Sequence, residues 1–429
     1  MMKTKLRHIG LLTLGGILLL PAPAFAYLDP GTGNALIYLF ISLGGALIYF
    51  IRNIFYKICA LIKGDKLTDK SEESADIIIF SEGKNYWLTY KGIIEELIRR
   101  DIPFKYLSLD IHDPALTIDE PCMHSCWVGK GSAGFARVAC SRGKILLTST
   151  PNIGCAGYPL PRPTVDRMAL VSHAVSDTSY LKKGAIDHYD LILDVGPWCE
   201  NRLRRLEELR GLSPKKWKAV GLPYLDELAR NIAPKNDRSD GNVILVAPSW
   251  GDKSLLNLYG SDFIFDLLRH DFDVILRPHP QSWNHEQEML EKIIEKASVF
   301  PRFKVDREPD STISMRMADI MISDSSSVRY DFVFLYKKPV ITFSVPMGSL
   351  SSFEADTLGG PWDEGIASRL GWVISPDDDF DIIDIIHTLK MQDPARLEQL
   401  YEELISNHGR SAQAIVDALL EEKDEIDHA

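Results

Sequence analysis

Residues 321–332, Met-Ile-Ser-Asp-Ser-Ser-Ser-Val-Arg-Tyr-Asp-Phe, lead from an apolar stretch into a helical pattern through small hydroxyl side chains. The stretch reads as a short buried strand that turns into a helix, and residues 315–322 are mostly apolar. Val328, Phe332 and Leu335 recur at helical spacing, and Lys337, Lys338 and Pro339 stop that helix before a strand over 340–343. The first N–H groups of a helix have no partner inside it, and its dipole favours negative charge there. Beside the hydroxyls of Ser323, Ser325, Ser326 and Ser327, they make an anion site suited to phosphate. A serine cap of purely local use is the competing reading.

Three further stretches put chemistry at strand ends. Arg277-Pro-His-Pro280 follows an apolar strand, and its two prolines stiffen the backbone and remove two N–H donors. His279 is thereby projected from a rigid loop beside Arg277, a cation suited to phosphate. Pro248-Ser249-Trp250-Gly251-Asp252 closes another strand, where Ser249 and Asp252 read either as a site or as an ordinary turn. His173 leaves a hydrophobic strand into a polar loop, Ser172-His-Ala-Val-Ser-Asp177, as a general base would; a histidine that holds its turn is the alternative. His188 is a weaker candidate of the same kind. In Gly221-Leu-Pro-Tyr-Leu-Asp226, Gly221 and Pro223 mark a sharp exit after a strand. Cys122-Met-His-Ser-Cys126 matches no common zinc spacing, and the six cysteines read as reduced thiols.

The elements that must position these residues alternate. Strands are expected near 76–80, 104–109, 144–149, 168–172 and 191–195, then 242–247, 273–276, 303–305, 340–343 and 372–374, with helical patterns between them. Such alternation predicts parallel sheets covered on both faces, with ligands at the carboxyl ends of the strands. A chain of 429 residues is too long for one ordinary core. The α/β pattern divides into two facing Rossmann-like domains, at 76–232 and 242–391, with closing helices over 392–429. Residues 346–361 read as a long glycine-containing loop. The net charge of −12 argues against a nucleic-acid partner.

Ahead of these domains, Lys3, Lys5 and Arg7 precede an apolar run over 9–20 and an Ala-x-Ala site, so 1–26 reads as a signal peptide or a first membrane helix. Residues 27–63 read as a transmembrane anchor with a juxtamembrane helix, and 64–75 as a linker. The cations Arg52, Lys57, Lys63 and Lys66 place both α/β domains on the cytoplasmic side of the inner or plasma membrane.

Taken in order, residues 221–226, 247–252, 277–280 and 323–332 resemble the motif series of the CDP-glycerol glycerophosphotransferases, the teichoic-acid-type polymerases and primases of GT-B fold. His173 stands where that family has its first-domain histidine, although the family's Trp-His-Gly-Thr-Pro is here Ser172-His-Ala-Val-Ser176. The resemblance implies a membrane-anchored transferase of cell-envelope polysaccharide biosynthesis. A hydroxyl of a glycan or lipid-linked acceptor would attack the β-phosphorus of a CDP-linked alditol, and CMP would leave. It further implies that Ser325, Ser326 and Ser327 hold the pyrophosphate and that Arg277 and His279 stabilise departing charge. His173 would take the acceptor's proton. Asp324 and Asp331 would orient ribose or a histidine, or brace the helix. Mg2+ would accompany the donor pyrophosphate, without a dedicated metal cluster in the sequence. A GT-B glycosyltransferase using a nucleotide sugar and a non-catalytic scaffold of polysaccharide assembly are the rival readings.

Overall fold

The computed structural model describes residues 75–230, 232, 242–308, 310–346 and 350–429. The expected signal segment and membrane anchor lie outside these residues, as does nearly all of the linker. Among the described residues, no helix is long and apolar enough to cross a membrane.

Two parallel sheets carry the fold. The first contains β1 (Ile77–Ser81), β2 (Phe104–Ser108), β3 (Met123–Trp127), β4 (Arg142–Thr148), β5 (Thr164–Val171), β6 (Leu191–Asp194) and β7 (Lys216–Ala219), in the order β3-β2-β1-β4-β5-β6-β7. The second contains β8 (Val243–Val246), β9 (Asp273–Leu276), β10 (Phe303–Val305), β11 (Ile320–Ser323), β12 (Val340–Phe343) and β13 (Gly371–Ile374), in the order β10-β9-β8-β11-β12-β13. Every strand pair is parallel. Each sheet is wound outward in both directions from one internal pair, β1/β4 in the first and β8/β11 in the second. At such a pair the chain leaves the two strands toward opposite faces, which opens a crevice at their carboxyl ends.

The central strands are continuous apolar runs because both of their faces are covered. β1 is buried throughout, with Ile77 and Ile79 facing one core and Ile78 and Phe80 the other. Helix Trp87–Arg99 packs on the first of these, and Ser411–Asp427 joins it there through Ile415, Val416 and Leu419. The C-terminal helix therefore belongs spatially to the first domain.

A third core joins the domains. Val175, Val195 and Leu222 from the first half pack with Leu245, Ala247, Tyr330 and Trp362 from the second. Val175 lies two residues beyond His173, so the His173 loop is seated in the interdomain core.

Several expectations change. The apolar residues 315–322 divide between a helix over Thr312–Met317 and β11, which begins at Ile320. β3 and helix Leu255–Tyr259 were not foreseen. The long loop expected over 346–361 contains helix Glu354–Leu358, which docks on the first domain. There Glu354 N–H donates to the Leu181 carbonyl at 2.8 Å, and the Glu354 carboxylate accepts from Gly184 N–H at 2.9 Å and from Arg210 at 2.7 Å.

Candidate active site

β9, β8 and β11 lie side by side, so the loops that extend from them converge at the second sheet's crevice. Asp324 is wholly buried there. It accepts hydrogen bonds from Ser249 N–H at 3.0 Å, Ser249 Oγ–H at 2.7 Å and Leu255 N–H at 2.8 Å. Ser323, equally buried, donates its hydroxyl to the Ala247 carbonyl at 2.6 Å. These three expected ligand residues thus build the loop instead of lining it: Ser323, Asp324 and Ser249 are engaged with one another's strands.

Ser325, Ser326 and Ser327 behave differently. Ser325 and Ser327 are exposed and Ser326 is half-buried. Ser327 sits at the start of helix Val328–Tyr336 without capping it through its side chain, which removes the local-cap reading. Neither the three hydroxyls nor the N–H groups of these serines have a hydrogen-bond partner among the described residues. Six donors are collected at the positive end of a helix, an arrangement suited to phosphate oxygens.

Arg277 forms a largely buried ion pair with Asp306 at 2.5 Å, tying the end of β9 to the end of β10. Against the desolvation that would raise it, bonds from Ser314, the Glu308 N–H and Arg277 hold Asp306 below its ordinary range. The guanidinium expected to face phosphate is therefore engaged with a carboxylate.

His279 accepts a hydrogen bond at Nδ1 from Gln281 N–H at 3.2 Å. The proton of the neutral ring consequently resides on Nε2, which is left as a donor. Desolvation holds the pKa of His279 below its ordinary value, against the pull of Glu286 and Asp324. Trp250, 46% exposed, lies nearly parallel to His279, with ring centres 6.1 Å apart, and to His285 at 5.4 Å. The sequence signal for Trp250 is a bulky apolar side chain between Ser and Gly in a turn. Asp252 is exposed in the same loop, in the wall of a cavity of about 790 Å³ shared with Trp250, Asn257, His285, Glu286 and Lys292.

Asp331 lies in the first turn of helix Val328–Tyr336, where burial alone raises its pKa to about 8. Pro223 opens helix Pro223–Arg230, which packs against helix Val328–Tyr336. Gly221, at φ 88°, leaves no room for a Cβ, which would come within 2.2 Å of the Ser406 carbonyl oxygen. Asp226 then accepts from Gly409 N–H at 2.8 Å and Ser411 N–H at 2.9 Å. Gly221–Asp226 therefore anchors the C-terminal helix.

In the first domain, His173 comes after β5 with its ring edge-on to Tyr86, centres 5.3 Å apart. Although the residue is exposed, crowding of its ring by neighbouring protein atoms depresses its pKa, opposed by the Glu82 carboxylate and by a backbone hydrogen bond at Ser149. The preceding Ser172 donates to buried Asp194 at 2.9 Å, and Trp217 donates to the same carboxyl at 3.0 Å. Asp194, raised to about 6 mainly by burial, is a support for this loop that the apolar strand pattern concealed. His188 lies instead against Gly154, remote from that ring pair in its contacts. Among the described residues, no group of three His, Cys, Asp or Glu side chains is arranged to hold a metal ion. The described residues thus offer Mg2+ no protein cage.

Residues 200–349 match the family model of the CDP-glycerol:poly(glycerophosphate) glycerophosphotransferases. The match spans the loops of Ser249, His279 and Ser325–Ser327 and excludes His173. No curated protein matches the chain. Among solved structures, the fold is similar to wall teichoic acid polymerase TagF: 16% identity, TM-score 0.51, covering 88% of this chain and 98% of the other. A CDPG-soaked form of the same polymerase gives a TM-score of 0.52 at the same identity and coverage. UDP-GlcNAc 2-epimerase from Methanocaldococcus jannaschii is similar at 12% identity and TM-score 0.50, covering 80% of this chain and 99% of the other. At these identities the likeness is one of fold, two parallel-sheet domains of the GT-B kind. The four sequence motifs all fall inside the family match, so residues 200–349 of this chain are similar to the CDP-glycerol glycerophosphotransferases.

Proposed function

We propose that the protein transfers a glycerol-phosphate or related alditol-phosphate unit from a CDP-linked donor to a hydroxyl of a cell-envelope glycan or lipid-linked acceptor. CMP is the leaving group. The observation that carries this reading is the serine junction: six unpartnered donors at a helix start, at the winding point of the second sheet, inside the stretch that matches the family.

Phosphoryl transfer requires positioning and charge neutralisation more than covalent help from the protein. The serines and the helix start take the donor's pyrophosphate oxygens. Nε2–H of His279 donates to the oxygen on which charge develops as the bond to CMP breaks. A neutral His173 accepts the acceptor's proton as the new O–P bond forms, and the electron pair of the broken P–O bond leaves on CMP. Depressed pKa values suit both roles, since each ring is uncharged near neutral pH. Arg277 acts by fixing the His279 loop through Asp306. The N-terminal sequence supports a membrane-held protein whose catalytic part is cytoplasmic.

The test is release of CMP from CDP-glycerol by the full chain, with the thermal response to CMP, CDP and UDP measured alongside. CMP release with stabilisation by cytidine nucleotides is expected. Turnover of UDP-sugars in its place makes the protein a nucleotide-sugar glycosyltransferase. No nucleotide response leaves the scaffold reading.

A further inference from the structure

The first sheet has its own winding point, β1/β4, and the residues there were given no role by the motif series. β1 ends in Ser81-Glu82-Gly83. Ser81 Oγ accepts from Gly83 N–H at 3.0 Å, and Gly83 adopts φ 136° with no room for a side chain, since a Cβ would lie 2.4 Å from that of Asp110. Tyr86 N–H then donates to the Gly83 carbonyl at 3.0 Å. One tight turn therefore presents both Glu82 and Tyr86. The phenol of Tyr158 donates to Glu82 at 2.8 Å and holds the carboxylate in place. Tyr90 locks the base of the crevice: its hydroxyl donates to the Phe80 carbonyl at 3.0 Å and accepts from Ser149 N–H at 2.7 Å, joining the ends of β1 and β4. β5 pairs with β4, so His173 enters this crevice from the adjoining strand and rests against Tyr86.

We propose that Glu82 is a positioning residue for His173 and that Glu82, Tyr86 and Tyr158 form the wall of the acceptor-hydroxyl subsite. The proposal rests on the transferase reading. When His173 takes the acceptor's proton it becomes an imidazolium, and a carboxylate in the same crevice stabilises that charge. The groups facing the pair are phenols: Tyr86 from the turn after β1 and Tyr158 from the loop after β4. Burial and the Glu82 charge keep both protonated. Glu82 reaches the neighbourhood of His173 because it shares one tight turn with Tyr86, whose ring meets that of His173 at 5.3 Å. Tyr86 limits the ring's rotation, so the base is both oriented and electrostatically supported.

The test compares wild type, Glu82→Gln and Glu82→Asp as full chains, by the pH profile of kcat/KM for CMP release and by NMR titration of 13C-histidine, with His173→Gln identifying the resonance. In Glu82→Gln the His173 titration and the acid limb of the profile should move down by about half a pH unit or more. The plateau should fall by about threefold or more, the same half unit expressed as a rate. Glu82→Asp should recover part of both. If neither limb nor titration moves in Glu82→Gln, or if Glu82→Asp behaves like Glu82→Gln, Glu82 does not position His173. Wild-type protein that releases no CMP, while the His173 titration still moves, overturns the transfer reading and leaves the pairing standing.

Discussion

His279 and Asp331 both occupy motif positions, and their surroundings give them opposite roles. His279 is held by its own loop in a single tautomer, so its contribution is an aimed donor. Replacing it with Ala should lower kcat by about 10²–10³-fold while the melting temperature stays within a few degrees, because the side chain is half-exposed. CMP release within a few-fold of wild type would remove His279 from the chemistry. Asp331 has been raised from the ordinary 3.8 to about 8 by burial alone. Between those values the native state holds a proton that the unfolded chain releases, so stability must fall as pH rises from about 4 to about 8. Asp331→Asn removes that dependence. Its stability relative to wild type should grow by up to a few kcal/mol between pH 5 and pH 8.5 in urea unfolding. A constant difference across that range would show that the carboxyl is not buried uncharged.

The loop after β11 divides its labour within five residues. Ser323 and Asp324 face inward and tie β11 to β8, while Ser325–Ser327 face solvent at the helix start. Asp324→Asn keeps the shape yet turns one acceptor into a donor opposite Ser249 N–H and Leu255 N–H. That change should cost about 2–4 kcal/mol of stability in urea unfolding, as expected for a buried, multiply bonded carboxylate. Ser326→Asp should leave folding within about 1 kcal/mol, because the side chain bonds to nothing among the described residues. It should raise the donor's KM by about tenfold or more through charge repulsion at the phosphate site. An unchanged KM would move the pyrophosphate away from this helix start.

The two domains are held by more than the interdomain core. Helix Glu354–Leu358 grips the first domain through buried Glu354, and Arg202 spans from Asp177 at 2.5 Å to the Gly360 carbonyl at 2.7 Å. Within the first domain, Glu422 fastens the C-terminal helix through Arg167 at 2.9 Å and Lys216 at 2.8 Å. Glu354→Ala leaves Arg210 and the Gly184 N–H each short of a partner. It should lower stability by about 2–4 kcal/mol and speed hydrogen exchange in residues 177–187. Exchange unchanged in that segment would show that the strap does not hold it.

The parallel sheets and the helical faces were legible in the sequence, because burial on both sides imposes apolar runs such as Ile77–Phe80 and because helix packing imposes the spacing of Tyr90, Ile93, Ile94 and Leu97. The loops at strand ends were legible too, since Pro, Gly, Ser and His at those points are costly inside regular structure. Which of their polar side chains face a ligand was not. Serine has the same letter whether its hydroxyl ties β11 to β8, as Ser323 does, or stands open at a helix start, as Ser325 does. The ion pair of Arg277 with Asp306 spans 29 residues, and the contacts of Tyr158 with Glu82 span 76. Sequence determines which groups a strand end offers. Only the tertiary structure decides which of them are consumed by one another, because hydrogen bonds and ion pairs are settled by distances across strands that no local pattern encodes.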